Sequence, residues 1–88
     1  MKTEFKSSFL RAIKKIRDEQ IKSDIADVIE NVEKATGIRN ITNIKKLKGF
    51  KDCYRIRIAN YRIGLKIVNN IVFFVDIDHR KNIYKHFP

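Results

Sequence analysis

A cluster of arginines on a predicted β-hairpin contains the residues of this sequence that are best suited to chemistry. Between positions 53 and 68, apolar and polar side chains alternate in two runs, which predicts two antiparallel strands joined by a tight turn. A two-residue turn at Ala59 and Asn60 pairs Arg57 with Arg62. The basic residues that this register brings to one face are Arg55, Arg57, Arg62 and Lys66.

This arginine cluster has no acidic residue near it in the sequence, because none occurs between positions 53 and 75. Like charges opposite each other destabilise a sheet, and guanidinium groups match the geometry of phosphate. The pattern therefore favours a bound phosphate, and Gly64, opposite Arg55, leaves a bare spot where a nucleic-acid backbone or ribose can approach. The alternative is the ordinary solvated face of an amphipathic hairpin, which the pattern alone leaves open.

Two further candidates follow the last predicted strand. An aromatic ring beside arginines, as with Tyr84 near Arg80, is typical of sites that stack a splayed single-stranded base. Alternatively, Tyr84 packs the tail onto the sheet together with Ile83 and Phe87. The lysines that precede the hairpin form either a phosphate track or solvated surface; they are Lys45, Lys46, Lys48 and Lys51.

Asp76 and Asp78 alternate on one face of the last predicted strand. They either form salt bridges with the arginines or hold a catalytic group, and we favour a structural role. Cys53, His79 and His86 lack the spacing of metal ligands, and no phosphate-binding glycine loop is present. We therefore expect no metal and no cofactor, and we expect Cys53 to be a small buried or edge residue.

The composition indicates one small, strongly basic domain that spans residues 1–88. The net charge is +10, and it is uneven: residues 1–44 carry 9 basic and 7 acidic groups, whereas residues 45–88 carry 11 and 3. This balance favours a polyanion or an acidic protein as partner. No apolar run is long enough to cross a membrane. From the charged pattern of the first residues we expect no secretory signal, and we expect a cytoplasmic location.

The elements that position the cluster are predicted from periodicity. Apolar residues at helical spacing indicate two amphipathic helices. The first follows Ser7 and Ser8 as candidate caps, and the second has Asp18 and Glu19 in its first turn and ends near Gly37 as a left-handed cap. A short strand is predicted at residues 2–6. Residues 41–50 are irregular or a short strand, and 71–75 form an interior strand after a turn at Asn69 and Asn70.

Four short motifs resemble the RelE/ParE superfamily of type II toxin–antitoxin toxins, and more closely its RelE branch. They are Lys-Leu-Lys-Gly, Asp-Cys-Tyr-Arg-Ile-Arg-Ile, Asn-Tyr-Arg-Ile and His-Arg-Lys-Asn-Ile-Tyr. The resemblance covers almost the whole chain. It implies an α+β fold, with an N-terminal helical hairpin packed on a mostly antiparallel four-stranded sheet, similar to microbial ribonucleases.

The resemblance also implies a function. RelE-like toxins cut mRNA in the ribosomal A site without a metal, by attack of a ribose 2′-OH on the adjacent phosphate. A cognate acidic antitoxin and a toxin–antitoxin hetero-oligomer are implied as well. The family's site positions fall on Arg55, Arg57, Arg62, Arg80 and Tyr84. The alternative within the superfamily is a ParE-like inhibitor of DNA gyrase without nuclease activity.

One departure from the RelE pattern concerns the proton acceptor. Arg55 and Arg57 stand where the family has lysines, and an arginine essentially cannot lose its proton. His86 is therefore our first candidate for the base, and we expect surrounding positive charge to lower its pKa. A tail histidine in solvent is the alternative, and Tyr84, Lys48 and Lys66 are the other candidate acceptors.

Overall fold

The structure is a computed structural model that describes all 88 residues, Met1 to Pro88. Two helices and five strands are joined by short connections. In chain order they are β1 (Lys2–Phe5), α1 (Ser7–Lys14), α2 (Glu19–Lys34), β2 (Ile44–Lys46), β3 (Cys53–Ile58), β4 (Tyr61–Val68) and β5 (Ile71–His79), with 3₁₀ turns at Ile38–Asn40 and Ile83–Lys85. Neither helix has the length and apolar character required to cross a membrane.

The strands form one sheet in the order β1-β5-β4-β3-β2. β1 runs parallel to β5, and the other three neighbouring pairs are antiparallel. The predicted α+β class with a mostly antiparallel sheet is confirmed, with five strands where the sequence indicated four. The additional strand is β2, which lies in the segment that the sequence left as irregular or a short strand.

One face of the sheet is covered by the helices and holds the main core. Phe9 of α1 is fully buried against Phe74 of β5, with ring centroids 5.3 Å apart. Burying each side chain of this size contributes roughly 1.5–3 kcal/mol. The other large members of this core are Ile16, Ile21, Ile25, Val32, Ile41, Ile56, Ile58, Ile63, Leu65, Ile67, Val72 and Ile77. Because strand side chains alternate between faces, the arginines of β3 and β4 lie on the opposite face.

The ends of α2 follow ordinary capping chemistry only in part. The Asp18 carboxylate accepts hydrogen bonds from the backbone N–H groups of Gln20 and Ile21, at 2.9 and 3.2 Å, and so caps the helix. The predicted left-handed cap at Gly37 is wrong. The helix ends earlier, at Lys34 with Ala35 as its C-cap, and Gly37 has an extended backbone with φ −168°.

The start of α1 also differs from the prediction. Lys6 occupies the N-cap position without a side-chain cap, and Ser7 is the first helical residue. Ser8 donates its hydroxyl hydrogen bond to the Val75 carbonyl instead. This contact ties the helix to β5, so the serine stabilises packing between elements rather than the helix end.

Both hairpin turns require left-handed backbone. Asn69 and Asn70 have φ values of 51° and 63°, the combination of a type I′ turn, which asparagine tolerates well. Ala59 has φ 49°, a conformation that an alanine adopts at some cost. The predicted register of the first hairpin is confirmed, since Arg57 pairs with Arg62.

Candidate active site

A cleft of about 690 Å³ lies on the sheet face opposite the helices. Arg55 reaches it from β3, Arg62 from β4, and Arg80 and Tyr84 from the segment after β5. β2 and the loop after it close one side with lysines. The residues that line the cleft are Lys45, Lys46, Leu47, Lys48, Arg55, Arg62, Arg80, Lys81 and Tyr84.

Backbone carbonyls hold two of the cleft arginines in place. Arg62 donates from Nη1 to the carbonyls of Ala59 and Tyr61, at 3.0 and 2.9 Å. Arg55 donates from Nη1 to the carbonyl of Asn43, at 3.0 Å. These bonds orient the guanidinium groups without neutralising them. No carboxylate forms an ion pair with any arginine of the chain.

The positive charges in the cleft act on one another. The pKa of Arg62 is lowered, first by its burial and then by the positive charge of Arg55, with smaller contributions from Arg57 and Arg80. Attraction to Tyr84 opposes this shift. A group whose charged form is disfavoured by its neighbours is stabilised by an anion, so the cleft is built to receive negative charge.

Arg57 lies next to the cleft and not within it. It pairs directly with Arg62 on the same face of the hairpin, but its side chain is exposed and does not line the cleft. Its charge is still felt there, because it contributes to the lowered pKa of Arg62. The sequence assigned Arg55 and Arg57 to the same candidate site, whereas in the structure only Arg55 lines the cleft.

The C-terminal segment folds back onto the arginine-bearing face of the sheet. Ile83 and Phe87 are buried, with 0% and 2% exposure, and form a second apolar cluster with Cys53. Tyr84 stands between these anchors and remains 54% exposed at the cleft. Ile83 and Phe87 therefore pack the tail onto the sheet, whereas Tyr84 remains exposed at the cleft.

Gly64 is not the bare spot that the sequence indicated. A Cβ at this position would lie 2.6 Å from Cδ2 of the Phe87 ring, well inside van der Waals contact. The space above Gly64 is therefore filled by the tail of the chain itself. The absence of a side chain at Gly64 serves the docking of Phe87, and a ribose cannot approach there while the ring is in place.

His86 is held by two carboxylates, an arrangement that we call the imidazole clasp. Its Nδ1 lies 2.7 Å from Asp76 Oδ2, and its Nε2 lies 2.9 Å from Asp78 Oδ2. Both ring nitrogens must carry hydrogen to donate to ionised carboxylates, which describes the imidazolium form. Accordingly the pKa of His86 is raised, by the hydrogen bonds to Asp78 and Asp76 in that order.

The expectation that positive charge lowers the pKa of His86 is wrong. The sequence showed many nearby cations, but folding brings the tail against the two aspartates of β5 instead. His86 also lies outside the cleft, and neither ring nitrogen has a free lone pair in this arrangement. Asp76 and Asp78 thus bind a histidine, and neither forms the salt bridge with an arginine that we favoured.

Lys66 is the other candidate that the structure keeps away from the cleft. It pairs with Cys53 and Phe73 and lines another depression together with Phe87. Lys81 lines the cleft but was missed, although its place beside Arg80 was a usable signal. No group of three or more His, Cys, Asp or Glu side chains is arranged to hold a metal ion.

Comparison with known proteins gives consistent matches. Residues 3–84 match the family described as the ParE toxin of type II toxin–antitoxin system, parDE. The chain is 35% identical over 89 residues to Toxin RelE3 of Methanocaldococcus jannaschii, covering 100% of both chains. It is similar to a chain of the RelB-RelE antitoxin-toxin complex from Methanococcus jannaschii, with TM-score 0.82, 33% identity and coverage of 96% and 98%.

A more distant structural match concerns the fold alone. A chain of the archaeal RelE-RelB complex from Pyrococcus horikoshii OT3 superposes with TM-score 0.72 at 16% identity, covering 90% of this chain and 93% of the other. The arrangement of helices on a mostly antiparallel sheet is therefore kept where most side chains differ.

Proposed function

The chain belongs to the ParE toxin family of type II toxin–antitoxin systems and is RelE-like, and on this premise we propose that it is a ribosome-dependent mRNA endonuclease. Cutting mRNA in the ribosomal A site would inhibit translation and so account for toxicity. The observation that carries the proposal is the convergence of Arg55, Arg62, Arg80 and Tyr84 on one cleft without an acidic partner. These groups suit phosphate and an unstacked base.

The proposed reaction is an internal transesterification. The ribose 2′-oxygen attacks the adjacent phosphorus and the bond from phosphorus to the 5′-oxygen breaks, which leaves a 2′,3′-cyclic phosphate and a 5′-hydroxyl. Negative charge on the phosphoryl oxygens increases in the transition state. Arg55, Arg62 and Arg80 are assigned to that charge, where preoriented donors have their largest effect.

Proton transfer is assigned to groups within the cleft. The 2′-OH must lose a proton and the leaving 5′-oxygen must gain one, and arginine is a poor carrier for either step. Tyr84 and Lys48 line the cleft and have exchangeable protons. We assign the proton acceptor to this pair in place of His86, which holds the tail that presents Tyr84.

The proposed partners are the ribosome and an acidic antitoxin. A cleft lined by so few groups gains most of its rate from a substrate that the ribosome already positions. The RelE chains to which this chain is similar are described in complexes with RelB antitoxins. We therefore assign to this chain a cognate acidic antitoxin, in a hetero-oligomer, and a cytoplasmic site of action beside the ribosome.

The test is mRNA cleavage in a purified translation system, with primer extension to map the new ends. The expected result is cleavage that requires ribosomes and is lost in Tyr84→Phe, while the matched variant Tyr54→Phe on the other side of β3 keeps it. A cyclic phosphate at the 3′ end of the upstream fragment is expected. Intact mRNA in the presence of folded, toxic protein would contradict the proposal.

A second candidate is inhibition of DNA gyrase, which the match to the ParE toxin family favours. It predicts a loss of supercoiling activity when purified gyrase is mixed with the chain. It also predicts toxicity that is independent of Tyr84. A supercoiling assay beside the translation assay therefore separates the two functions.

A further inference from the structure

The basic surface of the cleft continues along the loop between β2 and β3. Lys46 and Lys48 border the cleft and also the depression next to it. Phe50 and Lys51 line that depression and a third one, of about 650 Å³, beyond it. We call this continuous surface the basic track. In addition to the lysines that border the cleft, it contains Phe50, Lys51, Lys6 and Lys66.

Phe50 is an exposed aromatic ring on an anchored loop. Its side chain is 51% exposed and belongs to neither apolar cluster. The loop backbone is held by the Leu47 N–H, which donates to the Cys53 carbonyl at 2.9 Å, and it turns at Gly49 with φ 80°. Leu47 packs against the buried cluster of Cys53, whereas Phe50 has no comparable contact.

The lysines around this ring have no counter-charge. None of Lys46, Lys48 and Lys51 forms an ion pair, and neither do Lys6 and Lys66 at the far end. Asp52 is the only acidic residue between positions 45 and 75, and it is not paired with any of them. Unpaired cations that flank an exposed ring combine the two features of a surface for single-stranded nucleic acid.

We infer that the basic track binds a single-stranded RNA segment that extends from the cleft, with Phe50 stacked on one of its bases. The inference depends on the proposed function for the identity of the polymer as RNA. The lysines complement the phosphates, and the ring supplies a stacking surface that every base fits. An acidic protein segment would satisfy the lysines but offers no regular series of planar groups for Phe50.

The test uses fluorescence, because the chain contains no tryptophan. Phe50→Trp places a single reporter in the track, and Leu10→Trp places one on α1, where Leu10 is similarly exposed at 49%. The probe is an oligouridine of about 12 nucleotides, within the range that single-strand sites occupy. Its riboses carry 2′-O-methyl groups, so that no attack by a 2′-OH can occur.

The expected result is quenching of Phe50→Trp and not of Leu10→Trp as the oligouridine is added. Phe50→Leu, measured with labelled probe, should weaken binding roughly five-fold or more, since one stacked base is lost. Lys51→Gln should reduce the slope of log affinity against log salt by about 0.7, whereas Lys22→Gln on α2 should not.

Three results would overturn the inference. These are equal quenching of both reporters, unchanged affinity in Phe50→Leu, or quenching of Phe50→Trp by polyglutamate as strong as that by RNA. The assay contains neither ribosomes nor cleavable RNA, so it is independent of the nuclease. Quenching without mRNA cleavage in the translation assay would contradict the proposed function alone.

Discussion

The surroundings of Arg62 in the cleft disfavour its positive charge in the free protein. Burial and the neighbouring guanidinium groups lower its pKa, and only Tyr84 opposes them. We predict that Arg62→Ala slows mRNA cleavage by about 30- to 1000-fold, from a loss of roughly 2–4 kcal/mol of transition-state stabilisation. The melting temperature should hardly change, because the substitution also removes repulsion.

Single-turnover cleavage and thermal melting measure these two effects. Arg39→Ala is the matched control, since Arg39 is an exposed arginine on the 3₁₀ turn that follows α2. Cleavage by Arg62→Ala at the wild-type rate would remove the arginine cluster from the mechanism. A large loss of stability would instead assign Arg62 to the fold.

The second prediction concerns Arg57, which carries the same guanidinium group as Arg62 but lies outside the cleft. It faces Arg62 across the hairpin but does not line the cleft. We expect Arg57→Ala to slow cleavage less than ten-fold, through the weaker field that a screened, exposed charge exerts. A loss as large as that of Arg62→Ala in the same single-turnover assay would show direct contact with the substrate.

The sequence predicted the arginine cluster because its geometry is local. Period-two alternation and a two-residue turn determine that Arg57 faces Arg62, and no distant part of the chain alters that register. His86 is the opposite case. Its partners are 8 and 10 residues away in sequence, and its contacts depend on how the tail returns to β5. No periodic pattern contains that information.

The docked tail and the sheet are joined at Gly64 and Phe87. We predict that Gly64→Ala destabilises the chain by about 1–3 kcal/mol, because the new methyl group overlaps the buried ring. Phe87→Leu should relieve part of that overlap, so the double variant should be more stable than the sum of the single effects. Urea unfolding of the four proteins in a double-mutant cycle measures the coupling.

Additive effects in that cycle would mean that the ring does not sit on Gly64. The same variants also report on function. If the tail presents Tyr84 to the cleft, Gly64→Ala should lower cleavage even at temperatures where the protein remains folded. An equivalent substitution without a docked neighbour is Gly37→Ala, since nothing lies within 4 Å of a Cβ there.

The imidazole clasp makes stability depend on pH. The pKa of His86 is raised in the folded state. The stability that the clasp contributes is therefore fully present at a pH below the unfolded-state pKa of about 6.5. It is lost as the pH rises through the folded pKa. We expect His86→Gln to cost about 1 kcal/mol near pH 6, allowing for solvent screening of a side chain that is 44% exposed.

The measurement is the free energy of unfolding of wild type and His86→Gln from about pH 6 upward. The difference should narrow as the pH increases, because the wild-type clasp loses its proton. A difference that is constant with pH, or that grows with it, would contradict an imidazolium between Asp76 and Asp78. His79→Gln is the matched control, since His79 forms no ion pair.

Elements with a clear period and the short strand β1 were predicted, whereas β2 was left open and the 3₁₀ turns were not predicted. α2 and the β3–β4 hairpin follow directly from their apolar spacing. β2 is only three residues long, and it exists because Ile44–Lys46 finds an edge of β3 to pair with. The 3₁₀ turn at Ile83–Lys85 likewise forms where two buried side chains anchor it.

Over the whole molecule, the main core and the arginine cleft are segregated onto opposite faces of the sheet. The helices cover one face and enclose the main core, while the other face carries the arginine cleft and the docked tail. Residues 45–88, which include all the arginines of the cleft, carry +8 of the total net charge of +10. Repulsion among these cations opposes folding, and an anion that binds the cleft removes part of it.

This segregation leads to a prediction for the isolated chain with inorganic pyrophosphate. A ligand that binds only the folded state at about ten times its Kd adds roughly 1.4 kcal/mol, or about 6–11 °C in melting temperature for a chain of this size. Chloride at the same ionic strength should raise the melting temperature less than pyrophosphate does, since screening acts on every charge alike. In Arg62→Ala, pyrophosphate should raise the melting temperature no more than chloride does. In Arg39→Ala, the additional increase with pyrophosphate should remain. Equal shifts in all three proteins would show that the anion acts on net charge alone, and the cleft would then lack the directed arginines on which phosphate binding depends.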